Sequence, residues 1–215
     1  MSRPIYPELL DHDSTHGRPC VLALSHTAYF VTHSAPEAVK GDLRSPENPH
    51  EVDIILSLAS FLIGLGYKPE RITVLSAYVG QLLLIRAGLT ACGMDKVVLS
   101  TVDAYQGEEN DLVLLSLVRS NAEGKLGFTS VDNRICVALS RARLGFFCAC
   151  NLAMLSAGSE LWRQVLSLYK ICVHFQAVVH ESIILLFPPT TCIAHTTAIL
   201  LHGYCAINDS SLTPL

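Results

Sequence analysis

At 215 residues the chain has room for one sizeable α/β domain, or one domain with a tail, and with half its residues hydrophobic it can bury a real core. A formal net charge of −4 excludes nucleic-acid binding by bulk electrostatics, which needs a basic face, and leaves local contacts made by hydroxyls, backbone amides and a few cations. The eight cysteines include no C-x-x-C pair, so they fit no zinc ribbon or finger and point to free thiols in a reducing, intracellular setting, cytoplasmic or nuclear.

Residues 1–19 are polar, carry prolines at Pro4, Pro7 and Pro19, and read as an irregular leading segment without a signal-peptide core. Cys20 to Thr32 is apolar and strand-forming, and Val39 to Asn48 is a loop. Asn48-Pro49-His50-Glu51 is a helix start, with Asn as N-cap, Pro at the first helical position and Glu at the third. That helix should run to about Gly64-Leu65-Gly66. Ile72 to Ser76 reads as a short buried strand, Gly80 to Ala91 as a helix, and Lys96 to Thr101 and Asp111 to Val118 as further strands. Ser130 is the expected N-cap of a helix reaching about Arg143. Phe146 to Cys150 is a last strand, with Cys148 and Cys150 on one side of it as buried free thiols. Ser159 opens a short helix through Leu168. Strands alternating with helices at this spacing predict an α/β fold, a mostly parallel sheet covered on both faces, over residues 20–170.

The composition changes after Lys170. From Ile171 to Leu215 the charged residues are Glu181 and Asp209 alone, and apolar runs are broken by Pro188-Pro189. No run reaches the roughly 18 apolar residues needed to span a bilayer, so a membrane segment is not expected. Residues 171–215 read as an atypical tail, poorly packed or in need of a protein partner.

The chemistry lies in two runs. Val102 to Asp111 reads V-D-A-Y-Q-G-E-E-N-D, a polar turn before a strand. Gly107 there would let the backbone approach a phosphate closely, and Glu109 can accept from a sugar hydroxyl or a metal-bound water. Such a loop suits a ligand site if it lies at the carboxyl end of a strand, and an acidic surface turn is the alternative reading. In the second run, helical periodicity over Ser130 to Arg143 puts Ile135, Leu139 and Ala142 on the core face and Arg134, Ala138 and Arg141 on another. From there Arg141 can hold a γ-phosphate bidentately or sit on a solvated face.

Val137 to Arg143, V-A-L-S-R-A-R, resembles motif VI of superfamily 1 nucleic-acid helicases, in the branch of the nonsense-mediated-decay helicase and senataxin. Ser100 to Glu109 is similar to motif V, and Ile72 to Gln81 to motif IV, with Ala77 where proline is common. Asn48 and Glu51 match an N-x-x-E pattern upstream of motif IV. The three motifs occur in the family's order, and the resemblance runs from about Ile5 to Ser167. Cys136, where many relatives have Asn, resembles the subgroup that carries NF-X-type zinc-finger arrays and acts in RNA silencing.

The resemblance implies a RecA-like (P-loop NTPase type) second lobe. It implies that Arg141 is the γ-phosphate arginine and the one catalytic residue here, and that Gly107 and Glu109 contact nucleotide. It also implies that Ser76 and Thr101 hold the backbone of RNA or another single strand. No G-x-x-x-x-G-K-[ST] run and no D-E-A-x motif occurs; the family places both in the first lobe. The implied function is therefore half of an ATP-dependent RNA or DNA helicase, inactive alone. ATP and Mg2+ would bind when a first RecA-like lobe completes the site, and no metal ligand is expected on this chain. The alternative is a stand-alone nucleic-acid or protein binding module. The family pattern stops near Lys170, which reads as a fragment, a truncated product or a splice form.

Overall fold

Five apolar strands form one sheet in which every neighbouring pair is parallel, in the order β1-β7-β6-β4-β5. The computed structural model describes residues 21–22, 24, 26–39 and 45–168; residues 1–19 and 171–215, with the expectations placed on them, lie outside the described residues. The strands are β1 (Ala28–Thr32), β4 (Ile72–Ser76), β5 (Val98–Thr101), β6 (Asn110–Ser116) and β7 (Ala142–Cys150). Two short strands, β2 (Ala38–Val39) and β3 (Pro46–Glu47), pair antiparallel within the segment read as a loop. The helices are α1 (Pro49–Gly64), α2 (Val79–Ala91), α3 (Asp132–Leu139), α4 (Leu152–Gly158) and α5 (Glu160–Leu168). Among them none is long and apolar enough to cross a membrane.

Alternation along the strands divides the core in two, because successive side chains point to opposite faces. Ile72, Val74, Leu112, Leu114 and Phe147 pack under α1 and α2. Leu75, Val113, Leu115, Phe146, Cys148 and Cys150 pack on the other face with α3, α4 and Trp162 of α5. Burial on both faces explains why the strands read as continuous apolar runs. Cys148 and Cys150 are free and buried on one face, as expected, and burial pushes the Cys148 thiol well up. This is the α/β arrangement of a RecA-like lobe.

The α1 start forms as expected. Asn48 caps the helix by accepting from the Glu51 N–H at 3.3 Å, with Pro49 in the first turn. The helix before β7 is shorter than its periodicity predicts. It begins after Val131, not Ser130, whose hydroxyl donates back to Gly127 O at 2.7 Å within a 3-10 turn. It ends at Leu139, because the backbone at Ala142 is already paired with Asn110 of β6. Ala138 is therefore buried beside Ile135, and Leu139 is only half-buried, which reverses the faces expected for those two residues. Residues 152–158, not anticipated as a helix, form α4 from the Asn151 cap. β6 stops at Ser116, two residues early.

Candidate nucleotide and nucleic-acid site

The candidate residues lie at two opposite edges of the sheet. Gly107, Glu109 and Arg141 gather at the amino edge, before β6 and β7, while Thr101 and Ser76 end β5 and β4 at the carboxyl edge. The motif V turn is therefore not at the carboxyl end of a strand where its glutamate sits. It leaves that edge after Thr101 and crosses to the other.

What shapes the turn is one buried hydroxyl. Thr73 Oγ1 is 3.0 Å from the Tyr105 hydroxyl and accepts from Asn110 Nδ2 at 2.9 Å. Asn110 Nδ2 also reaches Glu70 O at 3.1 Å. With Tyr105 and Asn110 both buried on β4, the four residues between them are exposed. Gly107 lies at φ +88°, a conformation that disfavours any side chain and lets the turn reverse in so few residues. The run is thus an anchored display of Gln106 to Glu109 and not a loosely solvated acidic loop.

Arg141 follows α3 rather than lying on it. Its Nε donates to Val137 O at 2.9 Å, its Nη1 to Glu108 O at 3.2 Å and its Nη2 to Ser140 Oγ at 2.7 Å. The backbone N–H of Asn110 donates to Arg141 O at 3.1 Å. Motifs V and VI are therefore bonded to each other, and the guanidinium keeps donor capacity on its terminal nitrogens. Arg143 stands beside it, 3.1 Å from Asp111 and 3.5 Å from Glu109, and Arg71 is 3.2 Å from Asp111. These carboxylates are committed to arginines, and the described residues contain no group of His, Cys, Asp or Glu that could hold a metal ion.

At the carboxyl edge Ser76 and Thr101 are register partners. Thr101 is half-buried and its Oγ1 accepts from the Ala104 N–H at 3.3 Å. Ser76 is fully buried; its hydroxyl donates to Tyr78 O and accepts from Tyr78 N–H. It orients Tyr78 and does not reach the surface, which corrects its expected role as a direct contact.

The residues that sequence reasoning missed lie here too. Arg119 packs over the Tyr78 ring at 5.8 Å and pairs with Glu37 at 3.1 Å. Tyr78 also meets the Phe128 ring and accepts from the Phe128 N–H at 3.0 Å, and Arg134 lies over Phe128 at 4.9 Å. A polar run, Arg119-Ser120-Asn121, directly after the carboxyl end of a buried strand was the available signal.

Behind this edge is a buried polar network. Glu51, fully buried, accepts from the Ser116 hydroxyl at 2.5 Å and the Val118 N–H at 2.9 Å, and lies 2.9 Å from His33 Nε2. Gln81 of motif IV bonds the Asn48 N–H, the Asn48 carbonyl and the Ser116 hydroxyl. His50 stands edge-on to His33, and its own burial first, then the neighbouring His33, lower its pKa.

A family described as an AAA domain matches residues 6–153. Human NFX1-type zinc finger-containing protein 1 is 42% identical over 162 residues, 75% of this chain and 8% of that protein. The Schizosaccharomyces pombe helicase required for RNAi-mediated heterochromatin assembly 1 is 38% identical over 162 residues, 74% of this chain and 16% of that protein. The Drosophila melanogaster regulator of nonsense transcripts 1 homolog is 30% identical over 148 residues, 66% of this chain and 12% of that protein. The chain thus spans a small part, 8 to 16%, of the length of these relatives.

Proposed function

Since this chain belongs to the AAA-domain family, as a domain of the superfamily 1 helicase type, we propose that it is the second RecA-like lobe of an ATP-dependent helicase acting on RNA or DNA. In this reading Arg141 is the arginine finger, Gly107 and Glu109 meet the nucleotide, and Thr101 touches a single strand at the opposite edge, with Ser76 acting behind it through Tyr78. The names of relatives that refer to RNA and to RNAi-mediated heterochromatin favour RNA, and a role in RNA silencing.

The observation that carries the proposal is the direct bond between the two motifs. Arg141 donates to the backbone of the displayed turn and accepts from Asn110, the residue that follows it, so arginine and turn present one surface to a nucleotide. A guanidinium held this way can shift from neutral carbonyls to a phosphate, where charge-assisted bonds are stronger. The sequence contains no phosphate-cradling loop, so ATP requires the wall of a first lobe. The carboxylates of this face do not fit a magnesium site, being paired with Arg143 and Arg71; Mg2+ would come with the nucleotide and the first lobe.

The test is reconstitution. This chain, mixed with the first lobe of a relative, should form an ATP hydrolase stimulated by single-stranded RNA, and Arg141→Ala should remove that activity. A complex that forms, binds ATP and hydrolyses it equally well with Arg141→Ala would overturn the assignment. Strand binding without any hydrolysis in the complex would instead favour the stand-alone binding module.

A further inference from the structure

The chain turns sharply at Val118, two residues beyond β6. Val118 lies at φ +71°, and the Arg119 N–H donates to Leu117 O at 2.8 Å. A three-residue turn with a positive φ at its centre is the rare, strained form of γ-turn. For a β-branched residue this backbone is a genuine outlier, sustained only when its surroundings over-determine it. Among the described residues it is the sole non-glycine at positive φ.

Both polar groups of Val118 are held. Its N–H donates to Glu51 Oε2 at 2.9 Å, and its carbonyl accepts from Asn48 Nδ2 at 3.3 Å. The two side chains that close on it are the N and the E of the N-x-x-E pattern. Gln81 then locks Asn48 to Ser116, the last residue of β6. Arg119, immediately after the turn, is aimed by it onto Tyr78, and Glu37 gathers Arg119, the Ser120 N–H and Asn121 Nδ2 on one carboxylate.

We infer that Glu51 and Asn48 are positioning residues for the carboxyl edge: they hold the strained Val118 turn so that Arg119 is presented beside Tyr78, on the same edge as Thr101, as a phosphate contact for a single strand. The inference rests on the nucleic-acid reading above and adds Arg119 to it. Because Glu37 already pairs with Arg119, strand binding is a competition and is modest in affinity. The strain serves direction: an extended residue at 118 would carry Arg119 on along the line of β6, away from Tyr78.

The test uses the full 215-residue chain. One readout is the Arg119 Nε–H resonance, which the Tyr78 ring shifts and burial shields from exchange. The other is binding of a short fluorescent oligouridylate. Arg119→Ala should weaken binding by about tenfold, the size of one lost charge-assisted hydrogen bond. Glu51→Leu, which fills the space but offers Val118 no acceptor, should move the Arg119 resonance towards its solvent-exposed position and weaken binding similarly, and the double variant should be no worse than either. Val118→Gly accepts the turn without a clamp, so it should restore both readouts in the Glu51→Leu background. Asn48→Ser keeps the helix cap but loses the donor to Val118, and should shift both readouts in the same direction as Glu51→Leu. An Arg119 resonance unmoved in folded Glu51→Leu and Asn48→Ser chains, or additive losses in the double variant, would overturn the inference. A clamp-dependent resonance in a chain that binds no oligonucleotide would overturn the nucleic-acid reading, and the clamp's part in it.

Discussion

Arg141 spends its guanidinium on two carbonyls and a hydroxyl while remaining partly exposed. Each such bond is worth about 0.5–1.5 kcal/mol net, and solvent access takes these to the low end, so Arg141→Ala should cost about 1–3 kcal/mol. In a complex completed by a first lobe the same change should slow hydrolysis by about 10³–10⁵, the contribution of an arginine finger. Urea denaturation and single-turnover hydrolysis separate the two effects; full activity alongside a stability loss of core size would make Arg141 purely structural. His50 supplies a pH test. Its folded pKa lies below the ordinary value of about 6.5, so the unfolded chain takes up the proton first as pH falls. Stability should therefore decline from about pH 6.5 downward until the folded form also protonates. His50→Gln should flatten that part of the profile in denaturation measured at stepped pH, and an unchanged slope would show that other groups carry it.

Elements place these residues, and their packing sets different costs for similar substitutions. Ile135 is buried on α3, so Ile135→Ala should destabilise by about 2–5 kcal/mol. Leu139, at the helix end and half-buried, should cost roughly half as much on the same area argument. Equal losses in thermal unfolding would mean that the helix continues past Ser140 in solution. β7 sits between β1 and β6, and Gly145 is the register partner of Leu112. A methyl there would meet Val21 Cγ2 and lie 2.9 Å from Leu112 Cδ2. Gly145→Ala should therefore cost about 1–3 kcal/mol as an overpacked centre, and a neutral result would show that the Val21 segment swings aside.

For the molecule as a whole, the proposed function assigns one task to each edge of the sheet. In that proposal the amino edge carries the arginine and turn that face a nucleotide, and the carboxyl edge carries the hydroxyl, aromatic and cation that face a strand. The buried sheet joins the two edges, and the Asn48–Glu51–Gln81 network lies behind the carboxyl one. By itself this chain should hydrolyse no ATP above background, since its sequence has no phosphate loop; turnover lost on Arg141→Ala would show that it builds a complete site alone. With a net charge of −4 and few free cations at the carboxyl edge, strand binding should depend weakly on salt. A single phosphate contact gives a log–log slope of about −0.7, and two about −1.4. A slope several times steeper, with nanomolar affinity at physiological salt, would reveal a basic surface outside these residues.

Much of this was legible in the amino-acid order. The buried strands, the Asn48 cap, the free thiols and the parallel α/β sheet follow from local chemistry and periodicity, which act over a few residues. The motif residues Gly107, Glu109 and Arg141 could be named because the runs that hold them resemble motifs V and VI of a known family; the residue types alone also suit a solvated turn and helix face. Tertiary structure alone decided where they stand. Helical periodicity ran on to Arg143, but strand pairing of Ala142 with Asn110 ended the helix at Leu139 and turned Arg141 towards Glu108. Ser76 had the right hydroxyl in the right motif, yet the chain that follows covers it. Val118 could not be recognised as a strained turn, because a valine after a strand predicts more strand. Its conformation is imposed by Glu51 and Asn48, some seventy residues earlier in the chain, which only folding brings to its backbone.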